Sequence, residues 1–396
     1  MAIMMSQAAT MMFGAGALQV LGDELKMRGL KNPVIITDKG VTGAGVTAKV
    51  EAVIKEAGLA CSVWDGCLSD APVGSVEEAA AAARDAGADS VVGLGGGSSM
   101  DSAKAVSLII INKRPVTEFM FQPPDPTKPA APPPPPGAPE VPVFLIPTTS
   151  GTGSEVTQVA VLSEPGTSKK VGARITGATL AIVDPLLTLG VPPHLTAMTG
   201  MDVVAHAVEA ITGVMRNPMS DLRGFEALRL VSLHLYNAVK DGTDIAAREG
   251  MSFASSLAGM AFNNSITSLA HAISQALAPS THLHHGLICG LATPTQLELY
   301  AEAIPQRVRM IGEIFGAAIP YDATAAEIGK ITADKIRSFM SLIGIKSLEQ
   351  MGFTRKEITD QTDALMDEGM KDFSPCPVTR EVAFKALDGM CDYKGA

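Results

Sequence analysis

The sequence predicts an N-terminal α/β domain with a parallel sheet, followed by an all-helical C-terminal domain. Three observations lead there. Short β-branched runs alternate with Ala-rich amphipathic stretches up to about residue 185, a pattern that means crossover connections and parallel strands. Glycine-rich stretches follow two of those runs directly. Beyond Pro185 the β-branched runs fade, and apolar residues recur with the 3.6 period of helices.

In order, PVIITD (33–38), CSVWDG (61–66), SVVGLG (90–95), VFLIPT (143–148) and LAIVDP (180–185) read as strands. Helical periodicity near 44–57, 76–86 and 100–111 separates the first four. The stretch PPDPTKPAAPPPPPGAPE (123–140) reads as a polyproline-like surface connection, because proline lacks the amide donor that a helix or central strand needs. From LTAMTGMDVVAHAVEAITG onward the chain reads as helices broken by Gly, Pro and polar turns. The expected domains are residues 1–187 and 188–396.

The composition excludes several function classes. With 396 residues, 46% of them hydrophobic, the chain can bury a sizeable core in about two domains. A net charge of −10 argues against nucleic acid as a partner, since affinity for a phosphate backbone comes mostly from Lys and Arg. The five cysteines are odd in number and lack CxxC spacing, which suggests neither a disulfide framework nor a zinc knuckle and fits a cytoplasmic protein. The apolar start has no basic n-region, and the run AVSLIII (105–111) is too short to span a bilayer, so neither export nor a membrane is expected.

Two loops can cradle a phosphate. In VVGLGGGSSMDSAK (91–104) an apolar run passes through Gly95, Gly96 and Gly97 into a helix, whose free N-terminal amides suit a pyrophosphate. Ser98 and Asp101 have the spacing of a capping box at that helix start. This is not the GxGxxG fingerprint, and one Gly triplet can also serve a tight turn alone. The second loop, PTTSGTGSE (147–155), again follows a strand, and the pair together points to a nucleotide. Asp38, at the end of the first strand, can bond a ribose hydroxyl and repel a 2′-phosphate, which favours NAD; it can also simply cap a turn.

Histidines supply the second signal. In GMDVVAHAVEA (200–210), Asp202 and His206 are four apart on one helical face, within reach of one ion. A further helical stretch carries His271, and APSTHLHHGLICG (278–290) then offers His282, His284 and His285 before a glycine. One carboxylate with three imidazoles suits Fe(II) or Zn(II).

These residues carry a resemblance. The chain resembles the iron-containing, group III alcohol dehydrogenases over nearly its whole length: FGAG near the start, GGGSSMDSAK, PTTSGTGSEVT, VDP, GMDVVAHAVEA, LAHAISQALA and HHGL stand in that family's order and spacing. The resemblance implies an N-terminal dinucleotide-binding α/β domain and a helical domain, with metal and nicotinamide in the cleft between them. It places the metal ligands on Asp202, His206, His271 and His285, leaving His282 and His284 as extras. It places the pyrophosphate loop on Gly95, Gly96, Gly97 and Ser98, with Asp101 in the same motif, the nucleotide-contacting threonines on Thr148 and Thr149, and the cofactor-selecting acid on Asp38.

The implied activity is reversible oxidation of a small alcohol to an aldehyde or ketone with NAD, in a homodimer or larger homo-oligomer. Phe262 falls where the family has a pocket-lining aromatic, although plain helix packing accounts for it equally well. Two positions depart from the family. Gln275 replaces a histidine credited with proton relay, which leaves His282 and His284 as the titratable candidates for that role, and Ala71 stands where an asparagine is common. The rival readings are a metal-free reductase of the maleylacetate reductase kind and an inactive nucleotide-binding scaffold.

Overall fold

The computed structural model describes residues 6–121, 140–164, 169–175 and 177–396. Most of the proline-rich stretch 123–140 lies outside the described residues. The chain forms two compact units: Gln7–Thr149 with Ser154–Gly190, and Val191–Ala396 with Ser6 and the short segment Ser150–Gly153.

The first unit is built on a six-stranded parallel sheet. Its strands are β1 (Met11–Phe13), β2 (Pro33–Ile36), β3 (Ser62–Trp64), β4 (Ser90–Gly95) and β5 (Val143–Pro147), and, after an antiparallel hairpin of β6 (Val159–Ser163) and β7 (Lys170–Arg174), β8 (Leu180–Val183). The sheet order is β1-β8-β5-β4-β2-β3, with every pairing parallel. Central strands β2, β4, β5 and β8 are buried along their whole length, as their unbroken apolar runs require when both faces are covered. The helices of this unit are α1 (Leu21–Met27), α2 (Lys39–Gly43), α3 (Val46–Glu56), α4 (Val73–Asp85) and α5 (Gly97–Asn112).

Two details escaped the sequence pattern. β1 is three residues of the apolar start, paired with β8, and three residues carry too little periodicity to read. The β6–β7 hairpin occupies the interval before β8. One expectation is corrected outright: Ser98 and Asp101 form no capping box. The helix begins at Gly97, its N-cap is Gly96, and no side chain caps it. Ser98 Oγ instead accepts the amide of Asp70 at 3.0 Å. Asp101 accepts from Lys104 Nζ, Ser154 Oγ and the Val161 amide at 3.0, 2.6 and 3.0 Å. Lys104 is fully buried, so its charge needs this carboxylate more than the helix end does.

The second unit is helical: α6 (Pro193–Thr212), α7 (Pro218–Lys240), α8 (Ile245–Phe262), α9 (Leu269–Thr281), α10 (His285–Tyr300), α11 (Pro305–Ile314), α12 (Ala325–Leu342), α13 (Arg355–Thr359), α14 (Thr362–Asp367) and α15 (Arg380–Met390). The helix starts are written locally. α6 opens with proline at its first turn, α7 and α12 have full capping boxes at Asn217/Ser220 and Thr324/Glu327, and Asp244 caps α8. One apolar core runs through the unit from Ala197 to Tyr393. Glycines bring α10 against α6: a Cβ on Gly286 would lie 2.7 Å from the Met198 carbonyl oxygen and 2.8 Å from Asp202 Cβ, and one on Gly290 2.6 Å from Met201 Cβ. α10 therefore lies against α6 at a distance only glycine allows. Among the described residues no helix is long and apolar enough to cross a membrane.

Candidate metal centre and nucleotide loops

Within the helical unit, α6, α9 and α10 converge on one carboxylate. Asp202 and His206 stand one turn apart on α6, and His206 Nδ1 is 3.9 Å from Asp202 Oδ2. His271, in the first turn of α9, places Nε2 4.0 Å from Asp202 Oδ1. His285, the first residue of α10, places Nε2 3.8 Å from the same oxygen. These separations are too long for hydrogen bonds. They are instead the kind of spacing left between donors that share an ion about 2.0–2.2 Å from each.

The polar inventory supports that fit. Asp202 Oδ1, His206 Nδ1 and His271 Nε2 are all buried, and none has a hydrogen-bond partner. Orphaned acceptors in a packed interior cost on the order of 1–3 kcal/mol each, and a cation among them removes that cost. The Nδ1 atoms of His271 and His285 are each held by a neighbouring side chain. His271 Nδ1 lies 2.5 Å from Glu209 Oε2. Ser274 Oγ lies 2.8 Å from His285 Nδ1 and donates to the His285 carbonyl oxygen at 3.3 Å, so it accepts the Nδ1 proton. The His206 ring bonds the Gly151 backbone and stacks on Phe262, with centroids 4.4 Å apart.

Glu209 is fully buried and also serves the start of α9, accepting the amides of Ala270 and His271 at 2.6 and 3.4 Å. Burial opposes its charge, but His271 and the backbone amides outweigh burial and hold the carboxyl below its ordinary range. Burial alone would lower the His271 pKa; the neighbouring Cys289 and Glu209 more than offset it and raise it well above 6.5. His206 has no such anion in hydrogen-bond contact, and burial lowers it to about 4.

Cys289 belongs to the cluster. Its Sγ and one donor atom each of Asp202, His271 and His285 all lie within 4.8 Å of one another. Neither Glu209 nor Cys289 stands out in the sequence reading, yet each has a local signal: Glu209 continues the Asp202–His206 stripe by three residues, and Cys289 follows His285 by four. His282 and His284 are not in that group. His282 ends α9 in the left-handed conformation, and His284 is the N-cap of α10; both are exposed. Gln275 is half-buried, with Nε2 4.0 Å from Met370 Sδ.

In the first unit the two glycine-rich loops adjoin. The Thr148 amide donates to the Gly95 carbonyl at 3.0 Å, and a Cβ on Gly96 would lie 3.5 Å from Thr149 Oγ1. Gly95 has φ 144°, and a Cβ there would strike Ser99 Oγ at 2.7 Å and approach Asp38 Oδ2 at 3.3 Å. Asp38 caps α2 through the Val41 amide and accepts from Ser99 Oγ, both at 3.0 Å. Asp38, Gly95–Gly97, Ser98, Thr148 and Thr149 thus line the carboxyl ends of β2, β4 and β5, where ligands bind in open α/β sheets. Ala71 is buried behind this edge with φ 43°, its carbonyl accepting the Ser163 amide at 3.3 Å.

Family models for "Iron-containing alcohol dehydrogenase" and "Fe-containing alcohol dehydrogenase family, C-terminal" match residues 8–185 and 196–387. The chain belongs to the iron-containing alcohol dehydrogenase family. A long-chain-alcohol dehydrogenase of Geobacillus thermodenitrificans is 33% identical over 367 residues, 92% of this chain and 91% of that protein. Among solved structures, an alcohol dehydrogenase from Oenococcus oeni superposes with a TM-score of 0.88 at 28% identity, covering 98% and 99% of the two chains. A sulfoacetaldehyde reductase from Bifidobacterium kashiwanohense, solved in complex with NAD+, superposes at 0.84 with 29% identity, covering 99% and 98%. Membership in this family makes the chain an enzyme of the alcohol dehydrogenase and aldehyde reductase class.

Proposed function

We propose that the chain interconverts a small alcohol and its aldehyde or ketone, with NAD(H) on the glycine loops and Fe(II) held by Asp202, His206, His271 and His285, a donor set that also accommodates Zn(II). The observation that carries this reading is the convergence of donor atoms of Asp202, His271 and His285 within 4.8 Å of one another, with Asp202 Oδ1, His206 Nδ1 and His271 Nε2 buried and without a hydrogen-bond partner. It also disfavours a metal-free reductase, in which those atoms would stay orphaned. NAD is supported by Asp38 at the strand end and by the NAD+ complex of the Bifidobacterium relative.

When bound, the ion would supply Lewis acidity toward a substrate oxygen and the nicotinamide would supply hydride-transfer chemistry. The chain's own residues prepare for this. Glu209 keeps the His271 proton on Nδ1 and Ser274 keeps the His285 proton on Nδ1, so that both rings present Nε2 lone pairs. Phe262 covers one face of His206 and shields it from water. Gly95 and Gly96 leave room for a phosphate at the start of α5.

The test is metal analysis of the purified protein, then NADH turnover with a panel of aldehydes after iron or zinc loading. The expected result is one ion per chain and metal-dependent turnover. Asp202→Ala and His271→Ala should lose ion and activity together, while His282→Ala and His284→Ala keep the ion. Retention of the ion by Asp202→Ala, or full turnover without metal, would overturn the reading.

A further inference from the structure

Cys289 is the one donor of the convergence that the four-residue ligand set leaves unused. It is fully buried on α10, one turn after His285, with Sγ 3.7 Å from His285 Nε2 and within 4.8 Å of the donor atoms of Asp202 and His271. His206 does not share that common distance; its Nδ1 approaches the other oxygen of Asp202. Asp202 Oδ1 and His271 Nε2 are buried without a hydrogen-bond partner, and both residues, from α6 and α9, contribute a donor atom to the group that includes the thiol.

We infer that Cys289 is a sulfur ligand of the ion held here, and that it biases this site towards zinc over iron. The inference rests on the reading of Asp202, His271 and His285 as a metal site. Thiolate is the softest donor available to the cluster, and soft donors favour zinc over harder-binding ions in an otherwise nitrogen and oxygen set. Coordination replaces the S–H bond by a metal–sulfur bond, and the thiol proton leaves to solvent with the incoming dication. Without an ion the same thiol donates weakly to His285 Nε2, so one side chain keeps that nitrogen satisfied in the empty state and joins it in the filled one.

The test uses the full-length protein stripped of metal and loaded with cobalt(II), which reports thiolate ligation by a sulfur-to-cobalt charge-transfer absorption in the near ultraviolet, separate from its visible ligand-field bands. Wild type should show both. Cys289→Ser and Cys289→Ala, with unchanged far-ultraviolet circular dichroism, should keep the visible bands and lose the charge-transfer band. Competition dialysis should show zinc affinity falling by about tenfold or more in both variants, and iron(II) affinity falling less. Cobalt bound by wild type without the charge-transfer band, or a band that survives in Cys289→Ala, would overturn the sulfur ligand and leave the metal site standing. Wild type that takes up no cobalt would overturn both.

Discussion

Glu209 Oε2 sits 2.5 Å from His271 Nδ1 and its other oxygen accepts the Ala270 amide, so one buried carboxylate both orients an imidazole and anchors the helix that carries it. A carboxylate behind a ligating histidine fixes the tautomer and strengthens the lone pair on the far nitrogen. Glu209→Gln should weaken metal affinity by about 10- to 100-fold, since the amide keeps the shape and loses the charge. The pH dependence gives an independent check. With the His271 pKa raised well above 6.5, protons compete with the ion there, and metal uptake should strengthen as pH rises through that region. The variant holds the His271 proton less tightly, so its uptake curve should move to lower pH. A curve that stays in place would separate Glu209 from His271.

Gly286 ligates nothing, yet it should control the centre. Its missing Cβ is what lets α10 approach the Met198 carbonyl and Asp202. Gly286→Ala must push His285 away from Asp202, because a backbone carbonyl cannot turn aside as a side chain can. Overpacking of this kind costs about 1–3 kcal/mol. Both the Tm of the metal-free protein and its affinity for zinc should fall. Unchanged affinity would mean that the helices yield elsewhere.

Asp38 should set the cofactor preference. Asp38→Gly removes the negative charge beside Gly95 and should shift the NAD over NADP ratio of kcat/KM by about 1–3 kcal/mol towards NADP. The substitution also removes the cap on α2. Asp38→Asn, which can still accept the Val41 amide, separates charge from cap and should give most of the shift. Equal use of both cofactors by wild type would defeat this assignment.

Gln275 does not titrate near neutral pH, so proton release is expected to pass through His282 or His284, or through the cofactor ribose and water. A true relay is worth about 10²- to 10⁴-fold in rate. With metal content held equal, the His282→Ala/His284→Ala double variant should show a marked fall in kcat and an altered pH profile, partly restored by Gln275→His. Both histidines are exposed, so the double variant should keep its Tm. A rate and profile equal to wild type would remove them from the mechanism.

Much of the fold was legible because its causes are local. Apolar runs of four to six residues bounded by turns mark the buried strands β2, β4, β5 and β8, and the i, i+4 step of a helix suffices to put Asp202 and His206 on one face. The motifs around His271 and His285 single those residues out in the sequence as candidates. What the sequence could not weigh was competition between partners. Ser98 and Asp101 have capping-box spacing, but the buried ammonium of Lys104 claims the carboxylate; local propensity lost to the cost of burying an unpaired charge.

The sequence by itself determined the family, the α/β-then-helical order, the buried strands β2, β4, β5 and β8, and a short roll of residues able to hold a phosphate or an ion. Only the tertiary structure decided which of them meet. Glu209 lies 62 residues from His271 along the chain, and Cys289 joins the cluster because glycines let α10 settle against α6. Spacing along one helix follows from its period. Distance between helices follows from how closely two surfaces pack, and that depends on every side chain in the contact at once.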